Sequence, residues 1–248
     1  MSKLALIAVP FFTTDKHFFL AEQTMKSVAS SHELIKIAVV NKLGEGEVER
    51  DWIKANFDRV EFNDQNILAR AWNKGMRLAF SQGAEYALLI NLDIILHPSC
   101  IDNLVSCAKE NPSAFMWSAS SHASLDELES VTFDSSTVLG ADCSCYMVDN
   151  KLLRDAGEFD ERFAPAYHED SDMIYRITLL GGSCLISRAS HFYHFNRGTV
   201  KGWALAKQTE AMNKLQELMD KNRAFYERKW GGGPGQEKFT KPFNGLES

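Results

Sequence analysis

Three runs, residues 4–12, 35–40 and 86–90, read as buried strands. The first is continuously apolar rather than alternating, the pattern of a strand covered on both faces, and the second is apolar but for Lys36. Between the first two, residues 18–30 place Leu20, Thr24, Met25 and Val28 on one side of a helix, so the chain opens as β-α-β. A right-handed crossover sets both strands in one parallel sheet. It leaves their carboxyl ends, near Pro10 and Asn41, on the edge where α/β proteins bind ligands. Residues 48–56 read as a helix and 60–62 as a short strand. From Ile67 a helix carries Leu68, Ala71, Trp72, Gly75, Met76 and Ala79 on its apolar face.

At 248 residues the chain can bury one large α/β core with a helical extension, and its 45% hydrophobic and 24% charged residues suit a globular protein. The net charge of −6 disfavours a broad duplex-DNA face. A local basic strip on the last helix (Lys201, Lys207, Lys214, Lys221, Arg223, Arg228, Lys229) leaves nucleic acid open. Five cysteines without a CxxC pair or zinc spacing point to a reducing compartment, hence the cytoplasm. The apolar N-terminus is short and interrupted by Pro10, so it reads as the first strand, and no integral membrane segment is expected. The loop 41–46 has glycines but neither GxGxxG nor GxxxxGK[ST], which leaves a dinucleotide site and a P-loop unsupported.

The strand 86–90 runs directly into Asn91-Leu92-Asp93. A two-residue period puts Asn91 and Asp93 on the same side at the strand's carboxyl end, a geometry for a hard cation such as Mg2+ or Mn2+. A strand-end aspartate also fits a turn or cap, but Ile94-Ile95-Leu96 embed this one between apolar runs, where it needs a partner. A helix from Pro98 buries Cys100, Leu104 and Cys107 or Ala108. Strands follow at 114–119, 144–148 and 183–187, and residues 152–156 read as a short helix closed by Gly157. The polar stretch 120–137 is expected to be an acceptor-side loop or lid.

His168-Glu169-Asp170-Ser171-Asp172 precedes a helix marked by Met173, Ile177 and Leu180. Its carboxylates fit helix capping, with Asp170 or Ser171 as the cap. They fit equally a general base held against the apolar approach 163–167, which would raise its pKa. Arg70 and Lys74 share one side of their helix, as a solvated basic face or as an approach to the ligand edge. His191 reads as a packed residue, and His194, in a polar HFNRGT turn, as a ligand for metal or phosphate. Residues 203–229 form an amphipathic helix with Leu205, Met212, Leu215, Met219 and Tyr226 at helical spacing, packing on the core or on a second subunit. The aromatic tail after Gly231-Gly232-Gly233 is expected to fold back.

Taken in order, these segments resemble the family 2 glycosyltransferases, from Leu4 to Thr199. NILARAWNKG (66–75) is similar to the family's N-x-G-x-x-x-A-R-N-x-G, and INLDIILHP (90–98) to its L-N-x-D-x-x-x-x-P. GEFDERF (157–163) is similar to G-G-F-D-E-x-F, HEDSDM (168–173) to Y-E-D-x-D-L, and HFNRGT (194–199) to H-x-x-G-x-S. The resemblance implies the glycosyltransferase A fold, a Rossmann-like, mostly parallel sheet flanked by helices. Residues 1–200 would be the catalytic domain, with a nucleotide-sugar half about 1–97 and an acceptor half about 98–200, and residues 201–248 a C-terminal helical extension packing on the core.

The resemblance also implies roles. Asp93, with Asn91 beside it and His194 in the same shell, would hold Mn2+ or Mg2+ against the diphosphate of a nucleotide sugar, a UDP-sugar first. Asp170 would be the general base of one inverting displacement by an acceptor hydroxyl. Glu169, Asp172 and His168 would contact the acceptor, and Pro10, Phe11, Thr13, Asn41 and Arg70 would line the nucleotide pocket. The family's usual acid after the second strand is Asn41 here, and the metal motif carries one carboxylate rather than two. The implied enzyme is a hexosyl or pentosyl transferase. A saccharide acceptor ranks first; a lipid-linked sugar, a protein or a hydroxylated DNA base stays open, as does a homo-oligomer through the last helix. The rivals are a metal-dependent nucleotidyltransferase, disfavoured by PFFTTDK where a Gly-rich basic loop would stand, and a catalytically inactive nucleotide-sugar-binding scaffold, disfavoured by the intact Asp93, Asp170 and His194.

Overall fold

The computed structural model describes residues 1–42, 47–195 and 205–246, and only the backbone of 205–212. The first half alternates as expected: β1 (Lys3–Ala8), α1 (Asp15–Ser27), β2 (Glu33–Val40), α2 (Glu47–Asn56), β3 (Arg59–Phe62), α3 (Leu68–Ser81) and β4 (Tyr86–Ile90). Then come β5 (Ile94–Leu96), α4 (Cys100–Glu110), β6 (Met116–His122), α5 (Leu125–Glu129), β7 (Thr137–Leu139) and β8 (Cys145–Asp149). After a wide helical turn (Leu152–Ala156), the chain forms α6 (Glu169–Leu179), β9 (Cys184–His194) and α7 (Leu205–Trp230).

The strands form one sheet in the order β3-β2-β1-β4-β8-β6-β9-β5, with β7 paired to β9. β1 to β4 run parallel, so Ala8, Val40 and Ile90 all end at one edge. β8 enters the sheet antiparallel and pairs Cys145 with Ile90, which delivers the residues just before it to that same edge.

Alternate strand residues feed two cores. Leu4, Leu6 and Ala8 pack with α1, α2 and α4 on one face, while Ala5 and Ile7 pack with α3 and α6 on the other. Gly75 lets α3 approach closely, since a Cβ there would come within 2.5 Å of the Ile7 side chain. α7 docks through a third cluster, Phe163, Tyr226 and Trp230. The tail then folds back: Lys238 and Phe239 donate backbone bonds to the Trp230 carbonyl (2.9 and 3.0 Å), and Tyr175 Oη donates to the Phe239 carbonyl (2.9 Å). Among the described residues no helix is long and apolar enough to cross a membrane.

Four local expectations are corrected. Residues 120–137 are not one open loop. β6 extends to His122, and α5 is capped by Ser124 and anchored by buried Leu128. β9 continues through His194 because its second half pairs with β5 and β6, so His194 ends a strand rather than opening a turn. α6 begins at Glu169 with His168 at the cap position, so neither Asp170 nor Ser171 is the cap. Lys229 belongs to no solvated basic strip, being buried in ion pairs with two aspartates. The glycines of 44–46, the turn 196–199, Lys201 and Trp203 lie outside the described residues, as do the side chains of Leu205, Lys207 and Met212.

Candidate active site

The carboxyl edge of the sheet holds a cavity of about 780 Å3, within the roughly 300–1,000 Å3 usual for small-molecule sites. Its floor is the ends of β1, β2 and β4. Phe11 follows β1, Asn41 follows β2, and Asn91 and Asp93 follow β4. Glu169 and Asp170, in the first turn of α6, line the cavity as well. Leu215 and Met219 of α7 complete the wall, so the last helix is part of the site.

Asp93 leaves β4 in a tight connection to β5, and its carbonyl accepts the Phe195 backbone N–H at 3.0 Å. Its Oδ1 lies 3.2 Å from His194 Nε2, supplying the partner its apolar surroundings require. His194 Nδ1 faces the Ser144 hydroxyl at 3.4 Å, and Asp142 Oδ1 accepts the Ser144 backbone N–H at 3.0 Å. Burial opposes charge on His194, but the hydrogen bond to Asp93 and the charges of Asp93 and Asp142 together raise its pKa.

Sequence reading missed Asp142 and Ser144. They reach the edge only because β8 runs antiparallel, and a lone strand pattern carries no direction.

One carboxylate, one imidazole and a nearby second carboxylate fit a cation that keeps waters and completes its shell with phosphate oxygens. Among the described residues no group of three such ligands forms a closed protein cage, so Asp93 and His194 fit a substrate-completed site rather than a self-sufficient one.

The acidic end of the cavity is drier. Glu169 is 6% exposed, and its Oε2 has no hydrogen-bond partner among the described residues. Burial, then the adjacent Asp170 charge, push its pKa up to about 8, so at neutral pH the Glu169 carboxyl holds its proton beside Asp170. The Cys143 thiol, which lines the same cavity, is driven far up, first by burial and then by the charges of Asp170 and Asp142.

The approach to these acids is backbone-strained: Tyr167 and His168 both take positive φ (80° and 69°), which costs about 1–3 kcal/mol each for residues with side chains. Buried Asn222 of α7 holds that turn, donating through Nδ2 to the carbonyls of Ala166 (2.8 Å) and Tyr167 (3.2 Å).

The structure brings together Phe11, Asn41, Asn91, Asp93, His194, Glu169 and Asp170, and it sets five other expected residues apart. Asp172 is corrected: fully buried, it accepts from Arg176 Nε (2.9 Å), Trp230 Nε1 (2.8 Å) and Lys229, leaving no face for an acceptor. Arg70 does not line the cavity, because its guanidinium donates to Glu161 (2.7 Å) and Asp64 (3.0 Å). Thr13 is turned to His17 Nδ1, which accepts from its backbone N–H (3.2 Å), and His17 lines the cavity in its place. Pro10 contributes its carbonyl, which accepts the Asn41 N–H at 2.9 Å. His168 opens onto a neighbouring cavity. Asn41 sits in a neutral amide chain, accepting from Asn63 Nδ2 (2.8 Å) and donating to Asn66 Oδ1 (3.2 Å).

No protein-family model matches the sequence, and no curated protein matches it. Among solved structures the chain is similar to GalNAc-T7 crystallised with UDP, GalNAc and Mn2+, at 9% identity and a TM-score of 0.59, over 78% of this chain and 44% of that one. It is also similar to residues 1–349 of S. aureus TarS, at 11% identity and a TM-score of 0.56, over 80% of this chain and 62% of that one. The chain thus spans less than two thirds of either. At such identities the likeness is one of fold: a mixed α/β sheet flanked by helices, as in glycosyltransferase structures.

Proposed function

We propose that the protein is an inverting glycosyltransferase that moves a sugar from a UDP-sugar to an acceptor hydroxyl with the help of Mn2+ or Mg2+. The observation that carries the reading is the meeting of two chemistries in one cavity, which both the Asp93–His194 pair and Asp170 beside protonated Glu169 line. UDP and Mn2+ are suggested by the GalNAc-T7 complex, and Asn41 offers neutral hydrogen bonding to the nucleoside.

In this reading Asp93 and His194 would hold the cation, which when bound would supply positive charge to the departing diphosphate. Asp170 accepts the acceptor's hydroxyl proton while that oxygen bonds to the anomeric carbon. The bond from that carbon to the diphosphate oxygen breaks, and its electron pair leaves with UDP. A single attack from the face opposite the leaving group inverts the centre. Glu169, neutral, hydrogen-bonds a substrate hydroxyl without adding charge next to the base. Leu215 and Met219 exclude water that would otherwise compete for the donor.

The test is a thermal-shift series of UDP, GDP, CMP and dTDP with and without Mn2+ on wild type and Asp93→Ala, followed by UDP release from UDP-sugars. A Mn2+-dependent shift with UDP that disappears in Asp93→Ala supports the reading. Well-folded protein that responds to none of the nucleotides would sink it.

A further inference from the structure

α7 turns one stripe, Gln216, Met219, Asp220 and Arg223, toward a second cavity of about 350 Å3 that His168 and Pro234 complete. These positions follow the i, i+3, i+4, i+7 pattern of a single helix face, which is apolar when a helix simply packs. Here three of the four are polar and exposed, and only Met219 among them is half-buried. Met219 lines both cavities, so the second opens directly beside the first. His168 immediately precedes Glu169 and Asp170 in the chain, so the residue that closes the second cavity is joined directly to the acidic pair that lines the first. The Nδ1 atom of His168 is buried with no hydrogen-bond partner among the described residues.

The polar side chains are exposed, bond within the helix and keep further bonding capacity. Gln216 Nε2 donates to Asp220 Oδ1 (2.9 Å) and Arg223 Nε to Glu227 Oε1 (3.0 Å), which leaves the Gln216 carbonyl, the second Asp220 oxygen and the outer guanidinium nitrogens to a ligand. Two acceptors, from Gln216 and Asp220, and one donor group, from Arg223, thus stand beside the apolar surfaces of Met219 and Pro234. A sugar ring has that make-up, with hydroxyls at its rim and C–H groups on its faces. The Asp220 carboxylate, and the pairing of Arg223 with Glu227, oppose a phosphate or a uronate.

We propose that this second cavity is an acceptor subsite that binds the penultimate ring of a neutral oligosaccharide, so that a hydroxyl of the terminal ring reaches Asp170. The proposal rests on the glycosyl-transfer reading above and adds to it the acceptor class and the residues that select it.

The test uses the full chain saturated with UDP and Mn2+, and saturation-transfer NMR titrations of glucose, galactose and N-acetylglucosamine against maltose, cellobiose, lactose, chitobiose and chitotriose. Wild type is compared with Gln216→Ala and Arg223→Ala, and UDP affinity is measured separately for each. The expected result is one oligosaccharide bound at least about tenfold more tightly than its monosaccharide, with that advantage lost in both variants while UDP affinity holds. Equal affinity for mono- and oligosaccharides, no oligosaccharide bound, or no change in either variant overturns the subsite. So does tighter binding of a glucuronate disaccharide or of single-stranded DNA. Absence of UDP binding in wild type is a separate outcome, which strikes the donor site itself and takes the subsite with it.

Discussion

Lys229, one residue from the end of α7, is buried against Asp172, the last carboxylate of the acidic cluster that opens α6, 57 residues earlier in the chain. The same ammonium donates to Asp160 Oδ2 at 2.7 Å, and Arg162 donates to that same oxygen through Nη2 (2.8 Å) and to Oδ1 through Nε (2.9 Å). Those interactions hold the Asp160 carboxyl well below its ordinary pKa against the opposing effect of burial. The turn that carries Glu169 and Asp170 is therefore fastened to the C-terminal helix from beneath.

Removing one partner of a buried pair leaves an uncompensated charge, at a cost of about 3–5 kcal/mol. Lys229→Met is expected to lose that much stability in urea unfolding, and adding Asp172→Asn should recover part of it. A loss no larger than that of the exposed control Lys221→Met would show that the pair does not anchor α7.

Asp170 lines the cavity in the first turn of α6, and its Oδ1 accepts the Ser171 N–H at 2.7 Å. General-base catalysis contributes about 10²–10⁴-fold, so Asp170→Asn should lower kcat for sugar transfer by that factor while UDP binding stays unchanged. Wild-type kcat in Asp170→Asn would remove the base assignment.

Asp93 and His194 meet at 3.2 Å and share one wall of the cavity. Asp93→Ala should abolish the Mn2+-dependent part of UDP binding. His194→Ala should weaken it by less, because the carboxylate and the phosphate oxygens remain as hard ligands. Calorimetry of UDP with and without Mn2+ separates the two variants. Identical metal dependence in wild type and Asp93→Ala would place the cation elsewhere.

The parallel half of the sheet is legible in the sequence because β1 and β4 are mainly apolar runs, β2 is apolar toward its carboxyl end, and α3 carries a clear apolar stripe. That pattern alone puts Asn41, Asn91 and Asp93 on one edge. Three-dimensional pairing decides the rest. Asp172 stands two residues from Asp170 in the same motif, yet the helix turns it away from the cavity and into the Lys229 network. Local spacing does not say which acid faces a ligand and which faces a buried cation. Arg70 likewise begins its helix near the edge, but Asp64 and Glu161 capture it, and Glu161 lies 91 residues away. The part played by Leu215 and Met219 is hidden because amphipathic spacing shows that a helix packs without showing on what.

Glu169 gives the site a pH signature with an unusual sign. Its folded pKa is raised from 4.5 to about 8, by burial first and by the Asp170 charge second. Between those values the folded protein holds a proton that the unfolded chain has released, so stability falls as pH rises through that window and changes little above it on this account. Across the window the loss runs at about 1.4 kcal/mol for each pH unit. Glu169→Gln cannot ionise, so its stability relative to wild type should climb by a few kcal/mol from pH 5 to pH 8.5 in nucleotide-free protein, measured by urea unfolding at each pH. Asp170→Asn removes only the smaller cause and brings the Glu169 pKa part of the way back down. The decline should then level off at a lower pH than in wild type without becoming as flat as in Glu169→Gln. A stability difference that is constant with pH would mean that Glu169 is ionised in the folded protein and that the cavity wall is wet.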